Sequence, residues 1–425
     1  MSSVAVTHLE YDIVIAGGGM VGASLALLLS KKSEKPLNIL VVESFPVATS
    51  AENNSATPQY SPSFDARSTA LSYSSRLILE PLAVWGVLGQ HCAAINTIHV
   101  SDRGHLASSV LTNEQVQWPE LGYVIENAWL GNVLLNQLQQ QPAVEFLAPA
   151  SVKSIQPLNK GVALTIAQGE DTKTVRAQVT VVADGANSNL RKKLGISTHV
   201  KNYQQTALIA NVSFQKPHDG CAYERFTDQG PMALLPLSNS SSTEPRAALV
   251  WSLSKQQAEH LTQCDSSEFL QTLQQRFGHR LGEFTRVGER FNYPLQLVES
   301  QEQVRSGIVI MGNAAHSLHP VAGQGFNLAL RDCARLSELL VAAHKSQQYL
   351  GDLSLLQQYT QQQQFDQHKT TAMSDQLPAL FSSKQKPVSL LRNMGLTLID
   401  ILPVLKKAFI HQAAGLHNGA AGAGR

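Results

Sequence analysis

At 425 residues the chain exceeds the usual size of a single hydrophobic core, so two or more domains are expected, some assembled from non-consecutive segments. Hydrophobic residues make up 43% and charged residues 15%, which excludes a disordered chain and leaves apolar surface available for binding. A formal net charge of +1 and a pI near 7.8 provide no basic face for nucleic acid.

The cysteines Cys92, Cys221, Cys264 and Cys333 are scattered and form neither a Cys-x-x-Cys pair nor a disulfide framework, so a reducing cytoplasm is expected. The N-terminus lacks the basic segment and apolar stretch of a signal peptide. No run reaches the roughly 18 uncharged apolar residues of a membrane span; Asp400 and Pro403 interrupt the best late candidate, residues 394–405.

In chain order, YDIVIA reads as a strand, GGGMVG as a tight turn and ASLALLLSKK as a helix, with NILVVE as the next parallel strand. Residues 44–63 are rich in Ser, Thr, Asn and Pro and predict a mobile loop. Residues 64–88 predict a helix, AINTIHVSD a strand, ENAWLGNVLLNQLQQQ a helix and RAQVTVVADG a strand ending in a turn. From about 207 to 253 the short runs ALIANVSF, AYERF, MALLPL and AALVWSL have antiparallel-sheet character. GIVIMG returns to the buried-strand pattern, and residues 326–340 have helical spacing. The glutamine-rich stretch 347–367 predicts a solvated helix marked by Leu355, Leu356, Tyr359 and Phe365, and the tail after 415 predicts disorder.

Three segments carry chemistry. Gly17-x-Gly19-x-x-Gly22 lies between strand and helix: Gly17 suits the tight turn, Gly19 the approach of a pyrophosphate, and Gly22 close helix–strand packing. Glu43, ending the second strand, suits a ribose hydroxyl; this motif alone does not separate NAD from FAD. Asp184-Gly185 follows a strand, with Arg191 as a donor to phosphate; an ordinary β-turn explains the dipeptide equally well. In the third segment, GNAAHSLHPVAGQGFNLALRD, the turn Gly323-Gln324-Gly325 opens a helix whose free N–H groups suit the negative pyrimidine edge of a reduced flavin. His316 and His319 lie three apart but lack further partners at metal-ligand spacing, so no metal is expected.

Together these segments, with FDARSTALS, IHVSDRGH, LGYVIEN and YERFTDQGPMALLPL, resemble the flavoprotein monooxygenases related to p-hydroxybenzoate hydroxylase, and within them the ubiquinone-biosynthesis hydroxylases. The resemblance covers nearly the whole chain. It implies an α/β fold in which a discontinuous Rossmann-like FAD-binding domain (1–75, 120–200 and 290–345) carries an inserted antiparallel-sheet substrate domain (76–119 and 201–289), followed by a C-terminal helical region and flexible tail (346–425). It places FAD on Gly17, Gly19, Gly22, Glu43, Arg67, Asn132, Asp184 and Asn313 and on the stretch Pro320, Gly323, Gln324, Gly325, Phe326 and Asn327. Asn313 stands where most of the wider group has Asp, and Asn132 where relatives tend to have Gln.

The implied reaction uses NADH or NADPH, O₂ and a C4a-hydroperoxyflavin to hydroxylate a polyprenyl-methoxyphenol, with the cofactor performing the difficult step. No acid or base is assigned; His316 and Pro320 are pocket candidates. The alternatives are a related flavoprotein acting at another ring position or on another lipophilic phenol, and a flavin-binding protein without turnover. A plain NAD-dependent dehydrogenase leaves the third segment without a purpose. Apolar and basic residues in 384–416 suggest a place at the inner face of the membrane or against a ubiquinone-biosynthesis complex; a helix packed on the body explains the same pattern.

Overall fold

The computed structural model describes residues 9–46, 67–102, 108–227, 229–238, 244–319, 323–382 and 403–416. The stretch 47–66, most of the expected mobile loop, and the tail from 417 lie outside the described residues.

The first sheet runs in the order β18 (Val304–Arg305), β19 (Ile308–Ile310), β11 (Asp171–Val182), β1 (Leu9–Ala16), β2 (Ile39–Val42) and β8 (Val144–Leu147). From β19 to β8 every neighbour is parallel, while β9 (Ser151–Pro157) and β10 (Val162–Gln168) join as antiparallel additions through β11. Such a sheet is covered on both faces, which is why its strands read as continuous apolar runs. Ile13, Ile15, Val41 and Val181 pack on α1 (Met20–Lys32), α4 (Asn127–Gln139) and α8 (Gln324–Lys345). Val14, Ala16, Leu40 and Val182 pack with β10 on the other side, as the alternation of side chains along a strand requires.

The second sheet has nine strands, in the order β20 (His316–Ser317), β17 (Phe291–Ser300), β12 (Thr198–Phe214), β15 (Arg246–Ser254), β14 (Gly230–Pro236), β13 (Cys221–Thr227), β5 (Thr97–Asp102) and β6 (Ser108–Thr112), with β16 (Phe284–Val287) also on β12. All pairs are antiparallel except β13 with β5. β17 follows the expected boundary at 289 and still pairs with β12. One face, carrying Leu208, Val212, Leu234, Leu249 and Trp251, is sealed by α6 (Lys255–Gln263) and α7 (Ser266–Phe277).

A small sheet of β3 (Ser68–Ser72), β7 (Gly122–Glu126) and β4 (Ala93–Ile95) joins the two large ones: Ala93, Ile95 and Val124 pack with Ala222 and Ala248 of the second sheet. The helix expected over 64–88 therefore opens with a strand. Residues 68–72 pair antiparallel with β7, and Ser72 then caps α2 (Tyr73–Leu79), accepting from the Ser75 amide. After a short α3 (Trp85–Leu88), the other helices are α5 (Asn189–Lys193), α9 (Leu353–Ser382) and α10 (Pro403–Ala413).

The glutamine-rich helix differs from its expected solvated state. Leu355, Leu356 and Tyr359 are buried, but so are Gln363, Asp366, Gln367 and Thr370, whereas Phe365 is 68% exposed. The polar side of α9 lies along α8: the Arg331 guanidinium donates to Asp366 at 2.6 and 3.2 Å, and Gln367 donates to Asp332 at 3.0 Å. Helix α10 also packs on the body, with Ile410 buried and His411 edge-on to Trp118 at 4.9 Å.

Candidate flavin site

The site is set by register. Ala16 of β1 is opposite both Val42 of β2 and Val182 of β11, and Val182 is opposite Ile310 of β19, so four parallel strands end at one edge. The residues that follow them are Gly17, Glu43, Asp184 and Asn313, so the fold gathers the three sequence segments at one sheet edge. In open α/β sheets this carboxyl edge is where ligands bind.

The glycines there have separable reasons. Gly17 has φ +111, and a Cβ would come within 2.4 Å of the Ala183 carbonyl oxygen. A Cβ on Gly22 would fall 1.9 Å from the Gly17 oxygen, so α1 can lie against the turn only without a side chain there. Gly19 is exposed, and a Cβ on it would meet nothing within 4 Å. It is also the N-cap of α1, with no side-chain cap and no acidic residue in the first turn. The amides of Met20, Val21 and Gly22 thus have no acceptor within the helix and open onto free space, a cradle that fits a pyrophosphate.

Glu43 is already engaged. One carboxylate oxygen accepts from the Gly18 amide at 2.7 Å and the other from the Phe45 amide at 2.9 Å, which fixes the turn and leaves lone pairs for a further donor. Asp184 is exposed and accepts from the Leu190 amide at 3.3 Å. Arg191 corrects the expectation of a phosphate donor. It is buried, its terminal nitrogens donating to the carbonyls of Ala314 at 2.5 Å and Ala186 at 3.1 Å, so it fastens the Asp-Gly turn to the third segment.

That third segment begins with a turn, Gly312–Ala314, holding Asn313 exposed; a Cβ on Gly312 would press on Val21 of α1 at 3.1 Å. Gly323, at φ +60, is the N-cap of α8 and offers no side-chain cap, so the first amides of α8, those of Gln324, Gly325 and Phe326, have no acceptor within the helix. The left-handed residue is therefore Gly323, whereas Gly325 is ordinary helix with open space at its Cβ position. Gln324 is buried and Phe326 half-buried. The buried Asn327 side chain spends all four of its hydrogen-bonding positions on protein. Its oxygen accepts from the Ser72 amide at 2.8 Å and the Ser75 hydroxyl at 2.6 Å, and its amide donates to the carbonyls of Ala70 and Gly323, each at 2.8 Å. It fastens the start of α8 to β3, a role that sequence spacing does not reveal because its partners lie about 250 positions away.

Arg67 precedes β3, is exposed, and lies with its guanidinium carbon 5.2 Å from the Tyr293 ring centroid, linking the flavin edge to the second sheet. Asn132 is exposed on α4 and makes no hydrogen bond among the described residues. Pro320 lies outside the described residues. Neither histidine is open to a ligand: His316 is buried with Nε2 3.6 Å from Asp332, and His319 is fully buried, edge-on to Tyr203 at 5.0 Å. Burial lowers the His319 imidazole to about 4, against a smaller opposite effect of Asp375. A surface depression lined by Asp12, Lys35, Gln178 and His344 sits at the opposite end of β1 and has no part in this site.

The antiparallel region 207–253 was expected to roof an apolar pocket, but sequence reading did not name the residues of the half-open wall. On the second sheet, the face opposite α6 and α7 leaves Val100, Ile209, Ala233, Leu235, Val250 and Tyr293 partly uncovered. These six come from five strands spread over nearly 200 residues, and alternation within each strand was the only available signal.

Comparison with known proteins agrees with this geometry. Residues 73–372 match the FAD-binding-domain family. The chain is 34% identical to a ubiquinone hydroxylase of Rhodospirillum rubrum over 405 residues, covering 95% of this chain and 89% of that one. It is 29% identical to the 3-demethoxyubiquinol 3-hydroxylase of Escherichia coli, covering 96% and 100%. The crystal structure of p-nitrophenol 4-monooxygenase from Pseudomonas putida superposes with a TM-score of 0.75 at 17% identity, covering 96% and 99%. The chain belongs to the FAD-binding-domain family, and it is an FAD-dependent hydroxylase of the monooxygenase type.

Proposed function

We propose that this enzyme hydroxylates the ring of a polyprenyl-methoxyphenol in ubiquinone biosynthesis, as a 2-octaprenyl-6-methoxyphenol hydroxylase does, taking electrons from NADH or NADPH. The observation that carries this reading is the half-open apolar wall of the second sheet, joined to the flavin edge through β3. Arg67 ahead of β3 touches Tyr293 on the wall, and Ala70 within β3 lies against Gly323 at the start of α8. A lipophilic ring is what such a wall recognises, since small-ligand sites are mostly apolar with few placed polar groups.

Bound FAD supplies the activation of O₂ for transfer of one oxygen atom to the ring. The protein's part is to bind and shield. Gly19 and the first turn of α1 would hold the pyrophosphate, and Glu43 would accept from a ribose hydroxyl. Asp184 and Asn313 stand at the same edge for the ribityl chain, and Arg67 is placed for a charge-assisted contact. The amides of Gln324, Gly325 and Phe326 would face the isoalloxazine, where backbone N–H groups stabilise negative charge without reorganising. The apolar wall excludes water from the reacting centre.

Among the described residues no helix is long and apolar enough to cross a membrane. We infer that contact with lipid or a lipid-carrying partner, at the cytoplasmic face, involves the region 384–416; its part before 403, with Leu390, Leu391, Met394 and Leu398 among Lys384, Lys386 and Arg392, lies outside the described residues.

The test is product analysis. Purified protein should be yellow, release FAD on denaturation, and convert 2-methoxy-6-prenylphenol to a hydroxylated product with NADH or NADPH, the product's substitution pattern assigning the ring position. Consumption of NAD(P)H with only H₂O₂ formed, across phenols of different substitution, would overturn the substrate class.

A further inference from the structure

The partly uncovered stretch Val100, Ala233 and Val250 of this wall is apolar, and in register with it stands a carboxyl, Glu224 in the middle of β13. Its strand neighbour Tyr223 points the other way, into the core sealed by α7, where it meets Phe277 edge-on at 5.4 Å. Alternation therefore places Glu224 on the open face, beside Ala222 and in register with Val100 of β5 and Ala233 of β14. Along these three strands the only other ionisable side chain on that face is Asp102, in register with Phe226.

Glu224 is half-buried on this face. Among the described residues it has no hydrogen bond and no ion pair. A carboxyl taken from water without a donor carries an uncompensated desolvation cost, and the cost is met when a ligand brings the donor. Burial alone pushes this carboxyl up to about 7, so near neutrality it exchanges a proton readily.

We propose that Glu224 is a catalytic residue that accepts the hydrogen bond of the substrate's ring hydroxyl and takes its proton as the ring is oxygenated. The inference rests on the hydroxylase reading above and deepens it. As a ring carbon bonds one oxygen atom of O₂, the O–O bond breaks with two electrons that NAD(P)H supplies through the flavin, the other oxygen atom leaves as water, and the phenol O–H bond breaks. Its proton passes to the Glu224 carboxylate, and its electron pair becomes the C=O π bond of a cyclohexadienone. On rearomatisation the ring C–H proton is lost to solvent and the carbonyl oxygen recovers a proton from Glu224. The carboxylate is thereby restored, and a new C–O bond has replaced a C–H bond. The residues directly in register with Glu224, Val100 and Ala233, are apolar and offer this hydroxyl no competing partner at that position.

The probes are 2-methoxy-6-prenylphenol and its methyl ether, which lacks the O–H donor. Glu224→Gln keeps an acceptor of the same shape but cannot take a proton. It should bind the phenol within a few-fold of wild type while kcat for product falls about 10²-fold or more, the usual contribution of a general base. Glu224→Leu removes the acceptor, so preference for the phenol over its ether in binding should disappear. The same variant should melt at a higher temperature than wild type, because it replaces an unpaired buried carboxyl with an apolar side chain. FAD content, measured by absorbance, should be unchanged in both. A Glu224→Gln enzyme with wild-type kcat, or a Glu224→Leu enzyme that still prefers the phenol, would overturn the assignment while leaving the hydroxylase reading intact. If wild type itself makes no hydroxylated product from the phenol, the hydroxylase reading is what fails.

Discussion

The two large sheets address their ligands by different means. The parallel sheet is buried on both faces and, in the proposed reading, would meet its ligand at its carboxyl edge, with backbone amides of α1 and α8 and glycines that keep side chains out of the way. The second sheet is sealed on one face and, in the proposed reading, would meet its ligand across the other, with side chains from strands far apart in sequence. A cofactor common to many enzymes suits the first arrangement, since backbone recognition does not depend on side-chain identity. A particular phenol suits the second, where each wall residue is free to vary without disturbing the strand ladder.

The sharpest way to break this comparison lies within the fingerprint itself. Gly22→Val should prevent the protein from folding, because even a Cβ would sit 1.9 Å from the Gly17 carbonyl oxygen and no flexible neighbour can yield. Gly19→Val, three residues away, meets only open space in the protein and should fold normally, yet emerge colourless because its branched side chain occupies the phosphate cradle. Circular dichroism and the flavin absorbance of the purified variants separate the two outcomes. A yellow Gly19→Val protein would show that the pyrophosphate is not held by the start of α1.

The same contrast explains what the sequence made legible. Strand, glycine turn, helix and acidic residue are local, so the edge formed by Gly17, Gly19, Gly22 and Glu43 could be read from spacing. Arg191 was read as a phosphate donor from its place after the Asp-Gly turn, yet its side chain fastens distant segments together; at Asn327 only the backbone was expected to face the flavin, and the side chain's fastening role was not legible. β3 was read as helix because its short Ser/Thr/Ala run is decided by pairing with β7, more than 50 positions later. The wall bearing Glu224 required the registers of six strands at once, which no single stretch contains.

A change of intermediate size is expected where the second sheet meets α9. His319 is fully buried beside Tyr203, whose hydroxyl donates to Asp375 at 2.8 Å, and Lys201 holds the same carboxylate at 2.6 Å. Its imidazole titrates near 4 in the folded protein, whereas an unfolded chain takes up the proton near about 6.5. Above that pH both states are neutral and nothing changes. As pH falls from about 6.5 to 4 only the unfolded state gains the proton, so stability drops by about 3 kcal/mol in total. His99 and His218, also lowered by burial, act in the same direction, so the diagnostic is the difference from a variant. Urea unfolding of His319→Gln should show a shallower loss over this range than wild type. Equal slopes would mean that burial does not shift the imidazole and that it takes up its proton alike in the folded and unfolded chain.

The smallest effect, and the one that best sharpens the division of labour, concerns the start of α8. Gly325 has ordinary helical backbone and open space at its Cβ position, and valine is no poorer a helix former than glycine, so Gly325→Val leaves the protein folded. Adenine and pyrophosphate are assigned to the other helix, so FAD should remain bound. What the valine meets is the isoalloxazine, if the ring lies against these amides, and a displacement of about 1 Å is enough to misalign ring and substrate. The expected protein is fully yellow and oxidises NAD(P)H, but yields several-fold less hydroxylated phenol and correspondingly more H₂O₂ for each NAD(P)H consumed. Wild-type yield per NAD(P)H would mean that the flavin ring does not rest on α8. The open wall of the second sheet would then be joined to the cofactor through Arg67 and β3 alone.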